Sequence, residues 1–449
     1  MRSRASPRAY PAAAIPNGCT STVLPGARRH PGIRGAGETT QRSRSCIMER
    51  CKSTRCHALS ARASAQRMPC GPFRAGRASM EITSPGVVHC GAGTFGRIVE
   101  EVPRLGTRAG IVTGAHLVKS QRVADLYEDL RKRGVRVSIS EPVTEEPTVE
   151  RVDELAAFLR EERCDVVISI GGGSVIDTAK AAAVMATNDG HTEAYQLKRR
   201  EIATPPLPQI AVPTTAGTGS EATRVSVLTN NSLGIKRSIS HPWMTPDIAI
   251  LDPELTASLP LDLTTLTAMD AFSHAIESAV SRNANSYTRH IALAAVEQLS
   301  DGLPRCQANP RDLEARLACL QGSCFAGLAM QQGLGASHTL APAVCIVGGI
   351  RHSEAIAALL IRSIGLIEQT LPGTYDEVKR AMRCEDVAKR LAGLCTAGGV
   401  STDLAHYGLK ASDCDAVIAA MNRYGSHRQT NPIEVTDNWA RELFRACTK

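Results

Sequence analysis

The residue types and spacing best suited to chemistry begin with Asp270 and His274, four positions apart in the segment TAMDAFSHAIE. In a helix this spacing places both side chains on one face, so both could bind one metal ion. The surrounding alanine, methionine, phenylalanine and isoleucine predict a buried helix, in which an unpaired carboxylate is costly. A hydrogen-bonded Asp–His pair without a metal explains this segment equally well.

Two further histidines, His338 and His352, follow in GLGASHTLAPAVCIVGGIRHSEAIAALL. A pair of glycines lies between them, which predicts that the two histidines belong to different elements. Each alone is better explained as an ordinary core or surface histidine. With Asp270 and His274 they would offer three imidazoles and a carboxylate. Such a set suits Fe(II) and Zn(II) alike and leaves a position for substrate.

A phosphate-binding loop is predicted within residues 165–180, DVVISIGGGSVIDTAK. A strand leads directly into Gly171, Gly172, Gly173 and Ser174, and a helix follows at once. Glycines let the backbone approach a phosphate closely, and a helix N-terminus presents free N–H groups. We expect Ser174 to cap the helix and to donate its hydroxyl to the same anion. An ordinary strand–helix turn is the alternative, but it needs only one or two glycines.

A second polar loop follows another strand in AVPTTAGTGSE, residues 211–221. Its hydroxyl residues alternate with small ones and are Thr214, Thr215, Thr218 and Ser220. In open α/β sheets, ligands bind at the carboxyl ends of the strands, where this loop would lie. Alone it could be a plain polar loop, but two such loops on one sheet together favour a nucleotide site.

These loops and ligands require a scaffold, and the hydrophobic pattern predicts one in two parts. Short β-branched runs alternate with helical stretches such as 120–134 and 148–163, which predicts a parallel sheet with helical crossovers. The predicted strands are 109–113, 135–139, 165–170, 209–212 and 248–251. From Leu255 onward the pattern is helical, for instance at 263–281 and 286–299. We therefore predict an α/β nucleotide-binding domain at residues 80–256 and an all-helical metal- and substrate-binding domain at residues 257–449, with a ligand cleft between them.

The net charge of +8 over 449 residues is unevenly distributed. Residues 1–79 hold fifteen Arg and Lys against Glu38 and Glu49 only, so the remainder is mildly acidic. This basic segment fits a transit peptide, a disordered arm, or translated upstream sequence with Met80 as the working start. Nucleic-acid or membrane-surface binding would have to depend on it alone, and we predict neither partner.

The predicted location is the cytoplasm, or mitochondria if residues 1–79 are a transit peptide. The cysteines are scattered and form no metal-spaced CxxC pair, which indicates a reducing compartment. No apolar run reaches the ~18 residues that cross a bilayer, so we expect no membrane span.

Several motifs in the same order resemble those of the iron-containing alcohol dehydrogenase family. They are GGGSVIDTAK, PTTAGTGSEAT, Lys236 with the later PDIAILDPELTASLP, DAFSHAIES, and the fourteen-residue interval from His338 to His352. The likeness extends from about Ser84 to Thr436, which is nearly everything except the basic segment. It implies a dehydroquinate-synthase-like fold, NAD or NADP, and one divalent ion, Fe(II) or Zn(II).

The resemblance also implies roles for individual positions. Asp270, His274, His338 and His352 would be the metal ligands. Gly171, Gly172, Gly173, Ser174 and Asp177 would lie against the pyrophosphate and the nearby ribose. Thr214, Thr215, Thr218 and Lys236 would line the nicotinamide end, with Leu255 close by. The implied activity is hydride transfer between the nicotinamide and a small alcohol–aldehyde pair at the metal, in a protein that forms a homodimer.

The sequence departs from the family pattern near both predicted sites. Gly114 stands where an aspartate usually contacts the adenosine ribose, which removes a repulsion against a 2′-phosphate and makes NADP as suitable as NAD. Glu146 replaces an asparagine beside the cofactor. Pro342 stands where a histidine usually faces the substrate, and Ser353 and Ile356 replace a glycine and an asparagine after His352.

Several alternative functions remain open on the sequence. A metal-independent reductase of the maleylacetate type shares the fold, but it gives Asp270 no purpose. A non-catalytic nucleotide-binding relative would explain the altered stretch from Pro342 to Ile356. A lyase of the dehydroquinate synthase type is disfavoured because the histidine spacing follows the dehydrogenases.

Overall fold

The computed structural model describes residues 81–144, 146–424 and 427–449. The basic segment 1–79 and the proposed start at Met80 lie outside these residues. Within the described part the strands are β1 (Val87–Cys90), β2 (Arg108–Thr113), β3 (Arg136–Ile139), β4 (Val166–Gly171), β5 (Gln209–Pro213), β6 (Val225–Asn230), β7 (Ile235–Ser240) and β8 (Ile248–Leu251). The helices are α1 (Ile98–Leu105), α2 (Gln121–Lys132), α3 (Val149–Glu161), α4 (Gly173–Thr187), α5 (Thr192–Gln196), α6 (Leu261–Val280), α7 (Ser286–Ala308), α8 (Leu313–Ala329), α9 (Ala336–Gly348), α10 (His352–Thr370), α11 (Asp376–Met382), α12 (Val387–Ala397), α13 (Cys414–Tyr424) and α14 (Asp437–Ala446).

The main sheet is parallel, with the strand order β1-β8-β5-β4-β2-β3 among the described residues. From β2 the chain moves outward to β3 and then crosses to the other side of β2 to form β4. This reversal opens a crevice between the carboxyl ends of β2 and β4, the usual ligand position in such sheets. Gly114 follows β2 and Gly171 ends β4, so both predicted cofactor positions border this crevice.

The five strands predicted from sequence are confirmed, and every predicted end lies within one residue of the observed end. The complete burial of β4 and β5, which have no exposed position, matches their β-branched runs. The predicted helix starts are also explained by capping. Ser120 and Thr148 accept hydrogen bonds from Val123 N and Arg151 N at the beginnings of α2 and α3.

Two pieces of β-structure were not predicted. β1 pairs with β8 at the sheet edge, and its side chains are mostly exposed. β6 and β7 form an antiparallel hairpin in which Thr229 pairs with Lys236. Both lack the long buried β-branched pattern on which the strand predictions depend.

From Leu261 onward the described regular structure is helical, as predicted. α6 is almost completely buried, and α7 and α8 pack against it with a core of small and branched residues. Gly302 allows α7 and α8 to approach closely, because a Cβ there would lie 2.8 Å from the carbonyl oxygen of Ala315. Proline is accommodated inside two of these helices, at Pro304 in α7 and Pro342 in α9. Among the described residues no helix is long and apolar enough to cross a membrane.

Candidate metal centre and cofactor loops

The structure brings the four predicted metal ligands together from three helices. Asp270 and His274 lie on α6, His338 lies on α9, and His352 is the first residue of α10. Asp270 Oδ1 lies 3.9 Å from Nε2 of His274, 3.9 Å from Nε2 of His338 and 3.7 Å from Nε2 of His352. The rings of His274 and His338 are stacked with centroids 4.6 Å apart, and those of His338 and His352 are 5.5 Å apart. Asp270, His274 and His338 therefore offer ligand atoms that all lie within 4.8 Å of one another, close enough to share one ion, and His352 approaches this group through Asp270.

The hydrogen bonding at this cluster argues against a simple Asp–His pair. A separation of 3.9 Å is too long for a hydrogen bond between Asp270 and His274. Asp270 Oδ1 and His338 Nε2 are buried and have no hydrogen-bond partner in the described structure. A buried carboxylate oxygen without a donor is costly. A cation bound between these atoms would remove that cost, so the donor set fits a divalent metal.

The electrostatics of the cluster keep the imidazoles of His338 and His352 available as ligands. Burial, assisted by nearby His274 and His427, holds the pKa of His338 well below its ordinary value. Loss of hydration lowers the pKa of His352 to about 3, against an opposing attraction from Asp270. Its place at the N-terminus of α10 also disfavours the charged ring. Neutral imidazoles keep the lone pair that a metal requires.

Glu277 is a part of this site to which the sequence analysis gave no role. Its carboxylate is buried and accepts hydrogen bonds from Gly335 N at 2.8 Å, Ser337 N at 2.7 Å and His338 Nδ1 at 2.7 Å. The signal was present in the sequence, because Glu277 follows His274 by three positions and Asp270 by seven. These intervals place it on the ligand face of α6.

The last described segment of the site comes from near the C-terminus. Asn431 Oδ1 accepts a hydrogen bond from Ala336 N at 3.1 Å, and His427 Nδ1 accepts one from Leu334 N at 3.3 Å. Thr430 donates its hydroxyl to Leu334 O at 2.5 Å. This segment therefore fixes the loop that leads into α9 and His338. No spacing rule links positions about ninety residues apart, so the sequence did not reveal it.

The predicted phosphate loop lies where the sequence placed it, between β4 and α4. Gly172 is the N-cap residue of α4, and no side chain caps this helix. The prediction that Ser174 caps the helix is therefore wrong. Ser174 lies inside the first turn because the helix already begins at Gly173. The free N–H groups of that turn remain available to an anion.

The threonine loop packs directly against the phosphate loop. Thr214 N donates to Gly171 O at 3.0 Å, and a Cβ at Gly173 would lie only 2.5 Å from Cγ2 of Thr218. Lys180, fully buried on α4, holds the end of this loop by donating to Ser220 O at 2.9 Å and to the Thr223 hydroxyl at 3.0 Å. The two loops thus form one surface at the carboxyl ends of β4 and β5.

The remaining predicted cofactor residues have definite partners in the chain. Asp177 accepts hydrogen bonds from the Ser220 hydroxyl and from Val227 N, so its carboxylate joins α4 to the hairpin. Lys236 donates to Glu146 at 2.5 Å. Leu255 is buried in the hydrophobic core that the main sheet forms with α1 and α2. The roles of these residues toward a nucleotide stay predictions.

Comparison with known proteins gives consistent results. A family model described as "Iron-containing alcohol dehydrogenase" matches residues 85–253, and one described as "Fe-containing alcohol dehydrogenase family, C-terminal" matches residues 264–448. Long-chain-alcohol dehydrogenase 1 of Geobacillus thermodenitrificans is 38% identical over 305 residues, covering 67% of this chain and 77% of the relative.

Solved structures agree with these sequence matches. A 1,3-propanediol oxidoreductase aligns with a TM-score of 0.77 at 28% identity, over 82% of this chain and 100% of the other. The sulfoacetaldehyde reductase of Bifidobacterium kashiwanohense, solved with NAD+, aligns with a TM-score of 0.75 at 30% identity, over 82% and 99% of the two chains. The predicted fold class is thereby confirmed.

Proposed function

Since the chain belongs to the iron-containing alcohol dehydrogenase family, we propose that Asp270, His274, His338 and His352 hold its metal ion. The chain is an NAD(P)-linked, iron-dependent oxidoreductase that acts on CH–OH groups. The bound ion supplies Lewis acidity at the oxygen of the alcohol or carbonyl. The residues of the chain bind and orient the two reactants, so that hydride can pass between the substrate carbon and the nicotinamide.

One observation carries the ligand proposal. Asp270 Oδ1 is buried without a hydrogen-bond donor and is approached by three imidazole nitrogens at 3.7–3.9 Å. This arrangement disfavours the metal-independent reductase, in which such a carboxylate would have no counter-charge. Fe(II) is the proposed native ion, and Zn(II) would suit the same donors.

The cofactor proposal follows from the packed loops. Gly171 to Ser174 would receive the pyrophosphate at the N-terminus of α4, with Asp177 supporting the loop. The nicotinamide end would lie along Thr214, Thr215, Thr218 and Lys236, with Leu255 beneath. The support for Gly171 to Ser174 and for the threonines is positional, since they lie at the carboxyl ends of β4 and β5 beside the crevice. Lys236 lies on β7 of the hairpin, and its proposed role rests on the family resemblance.

A small alcohol–aldehyde pair is the proposed substrate. Pro342 is half-buried in α9, one helical turn beyond His338, and it offers no titratable group. Ile356 is completely buried in the core of α9, α10 and α14, so this departure from the family lies away from any pocket surface. We therefore infer that Pro342 changes which substrate is accepted, relative to the family pattern, and does not abolish catalysis.

Three broader proposals accompany this function. The α/β part would be a domain at residues 80–256 and the helical part a domain at 257–449. A homodimer and a cytoplasmic location are proposed from the resemblance and from the scattered free thiols among the described residues. Mitochondria would replace the cytoplasm if residues 1–79 act as a transit peptide.

The test is to purify the full chain, measure its bound metal, and follow oxidation of NADH and NADPH with a panel of short aldehydes. We expect about one ion per chain and turnover with at least one aldehyde. Chelation should abolish turnover, and Fe(II) should restore it. Full activity after complete removal of metal would contradict the proposal and favour the metal-independent reductase. Nucleotide binding without turnover of any aldehyde would favour the non-catalytic relative.

A further inference from the structure

We propose that Glu277 is the positioning residue that presents His338 to the metal, by holding its ring with Nδ1 as donor and Nε2 toward Asp270. The inference rests on the metal site of the proposed function. It concerns a residue that would not touch the metal, the substrate or the cofactor. Its effect would be exerted on metal affinity and on the geometry of the site.

The three donors to Glu277 come from a single short segment. Oε2 accepts from Gly335 N and from His338 Nδ1, and Oε1 accepts from Ser337 N. Backbone N–H groups thus already donate to both carboxylate oxygens, so the ring completes the set as a third donor. When Nδ1 carries the proton, Nε2 keeps its lone pair. That nitrogen is the one found without a partner, 3.9 Å from Asp270 Oδ1.

The same contacts join the two helices that carry these ligands. Glu277 extends from α6, which bears Asp270 and His274, and its partners form the start of α9. The approach is close, because a Cβ at Gly335 would lie 2.8 Å from Asn431 Oδ1 and 3.0 Å from the Glu277 carboxylate. The carboxylate therefore sets both the orientation of the His338 ring and its distance from the other ligands.

Asn431 is a separate support that allows ring orientation to be distinguished from loop packing. It bonds Ala336 N and Ile433 O, and it has no hydrogen bond to His338 in the described structure. Replacing Asn431 with alanine should loosen the loop without offering the ring a different partner. Replacing Glu277 with glutamine keeps the shape but puts an amide NH2 where one of the carboxylate oxygens accepts. The new NH2 group then faces another donor, which is either a backbone N–H or the Nδ1–H of His338.

The test measures Co(II) and Zn(II) affinity of the full chain by competition with a chelator. We expect Glu277→Gln to bind about tenfold to a hundredfold more weakly than the unaltered chain. Glu101→Gln is the matched control, because Glu101 is an equally buried carboxylate that also bonds a histidine, His89, which is not a proposed ligand. This control should bind metal as the unaltered chain does. Asn431→Ala should lose less affinity than Glu277→Gln.

Two spectroscopic readouts separate positioning from general stability. The d–d absorption of bound Co(II) should change in Glu277→Gln and stay unchanged in Glu101→Gln. In the metal-free unaltered chain, ¹⁵N NMR of labelled histidines, assigned with His338→Asn, should show His338 protonated at Nδ1. The NMR measurement decides the question even if Glu277→Gln does not fold.

The outcomes distinguish the two proposals. If the unaltered chain binds no metal, the proposed function fails. If it binds metal and Glu277→Gln binds equally tightly with the same Co(II) spectrum, the metal site stands and the role of Glu277 is overturned. Protonation of His338 at Nε2 in the metal-free chain would also overturn it.

Discussion

The metal centre and the cofactor loops are built in contrasting ways. The proposed metal centre uses side chains on three helices, mostly buried around one carboxylate oxygen that has no hydrogen-bond donor in the described structure. The predicted cofactor loops present mainly backbone and hydroxyl groups, and some of these hydroxyls bond neighbouring residues. Asp177, for example, bonds the Ser220 hydroxyl and Val227 N.

This contrast determines how each region should respond to mutation. At the proposed metal centre each side chain would supply a specific ligand atom, so loss of one functional group should be severe. At the loops the shape of the backbone matters more, so adding an atom should do more harm than exchanging a polar group. The following expectations run from the largest effect to the smallest.

Removing a ligand charge should have the largest effect. Asp270→Asn should lose most bound metal and lower kcat/KM on the order of a thousandfold, because a bound ion supplies several kcal/mol to the reaction. Metal analysis and steady-state kinetics measure both quantities. Ser278→Ala, also buried on α6, is the control and should retain metal and activity. Normal activity of Asp270→Asn would contradict the view that the metal centre depends on single functional groups more than the loops do.

Adding a methyl group at the loops should act on the cofactor alone. In Gly173→Ala the new Cβ would meet Thr218 at 2.5 Å and displace a side chain whose Oγ1 accepts from Ser220 N at 3.2 Å. Overpacking of about 1–3 kcal/mol should weaken nucleotide binding by roughly tenfold to a hundredfold. Metal content should not change. Gly365→Ala, where a Cβ meets nothing within 4 Å, should leave the nucleotide Kd unaltered.

A carboxylate restored after β2 should change cofactor choice. A Cβ at Gly114 would meet its nearest atom, Val143 O, at 3.7 Å, so the site has room for a side chain. Gly114→Asp should favour NADH over NADPH by about tenfold through repulsion of the 2′-phosphate. The ratio of kcat/KM for the two nucleotides measures this, with Gly114→Asn as the uncharged control. An unchanged ratio would show that the adenosine ribose binds elsewhere.

Releasing Lys236 should have the smallest effect. In Glu146→Gln the ion pair with Lys236 is lost, and the lysine becomes available to the dinucleotide. Glu146 is more than half exposed, so the pair contributes only about 0.2–1 kcal/mol, and nucleotide affinity should rise by roughly twofold to fivefold. Fluorescence titration of NADH at low and high salt measures the change. Weaker binding would mean that Glu146 itself contacts the cofactor.

The sequence predicted strands and candidate ligands well where a local pattern was sufficient, either a run of β-branched residues or a spacing within one helix. The strands β2, β3, β4, β5 and β8 follow from β-branched runs, and Asp270 with His274 follows from helical spacing. The interval from His338 to His352 had meaning only through the family resemblance. Periodicity alone cannot show that α9 and α10 bring two histidines to the same point.

The parts that escaped prediction depend on tertiary contacts. Ser174 was expected to cap α4, but the helix begins two residues earlier than that cap requires, because Gly172 takes the N-cap position. Glu277, on the first long helix of the helical part, and Asn431, near the C-terminus, both bond the backbone at the start of α9. Lys180 is buried because the chain surrounds its ammonium group with acceptors such as Ser220 O and Thr223 O. None of these partnerships has a local sequence pattern.

Pro342 has a mechanical consequence for the ligand helix. Proline has no N–H, so it cannot donate the usual helical hydrogen bond to the carbonyl of His338, four residues earlier. The turn that carries His338 therefore lacks one helical hydrogen bond, while Glu277 on α6 accepts a hydrogen bond from His338 Nδ1 at 2.7 Å. With Glu277 fixing the ring as proposed, the position of His338 depends on the contact between two helices as well as on the hydrogen bonds of its own helix.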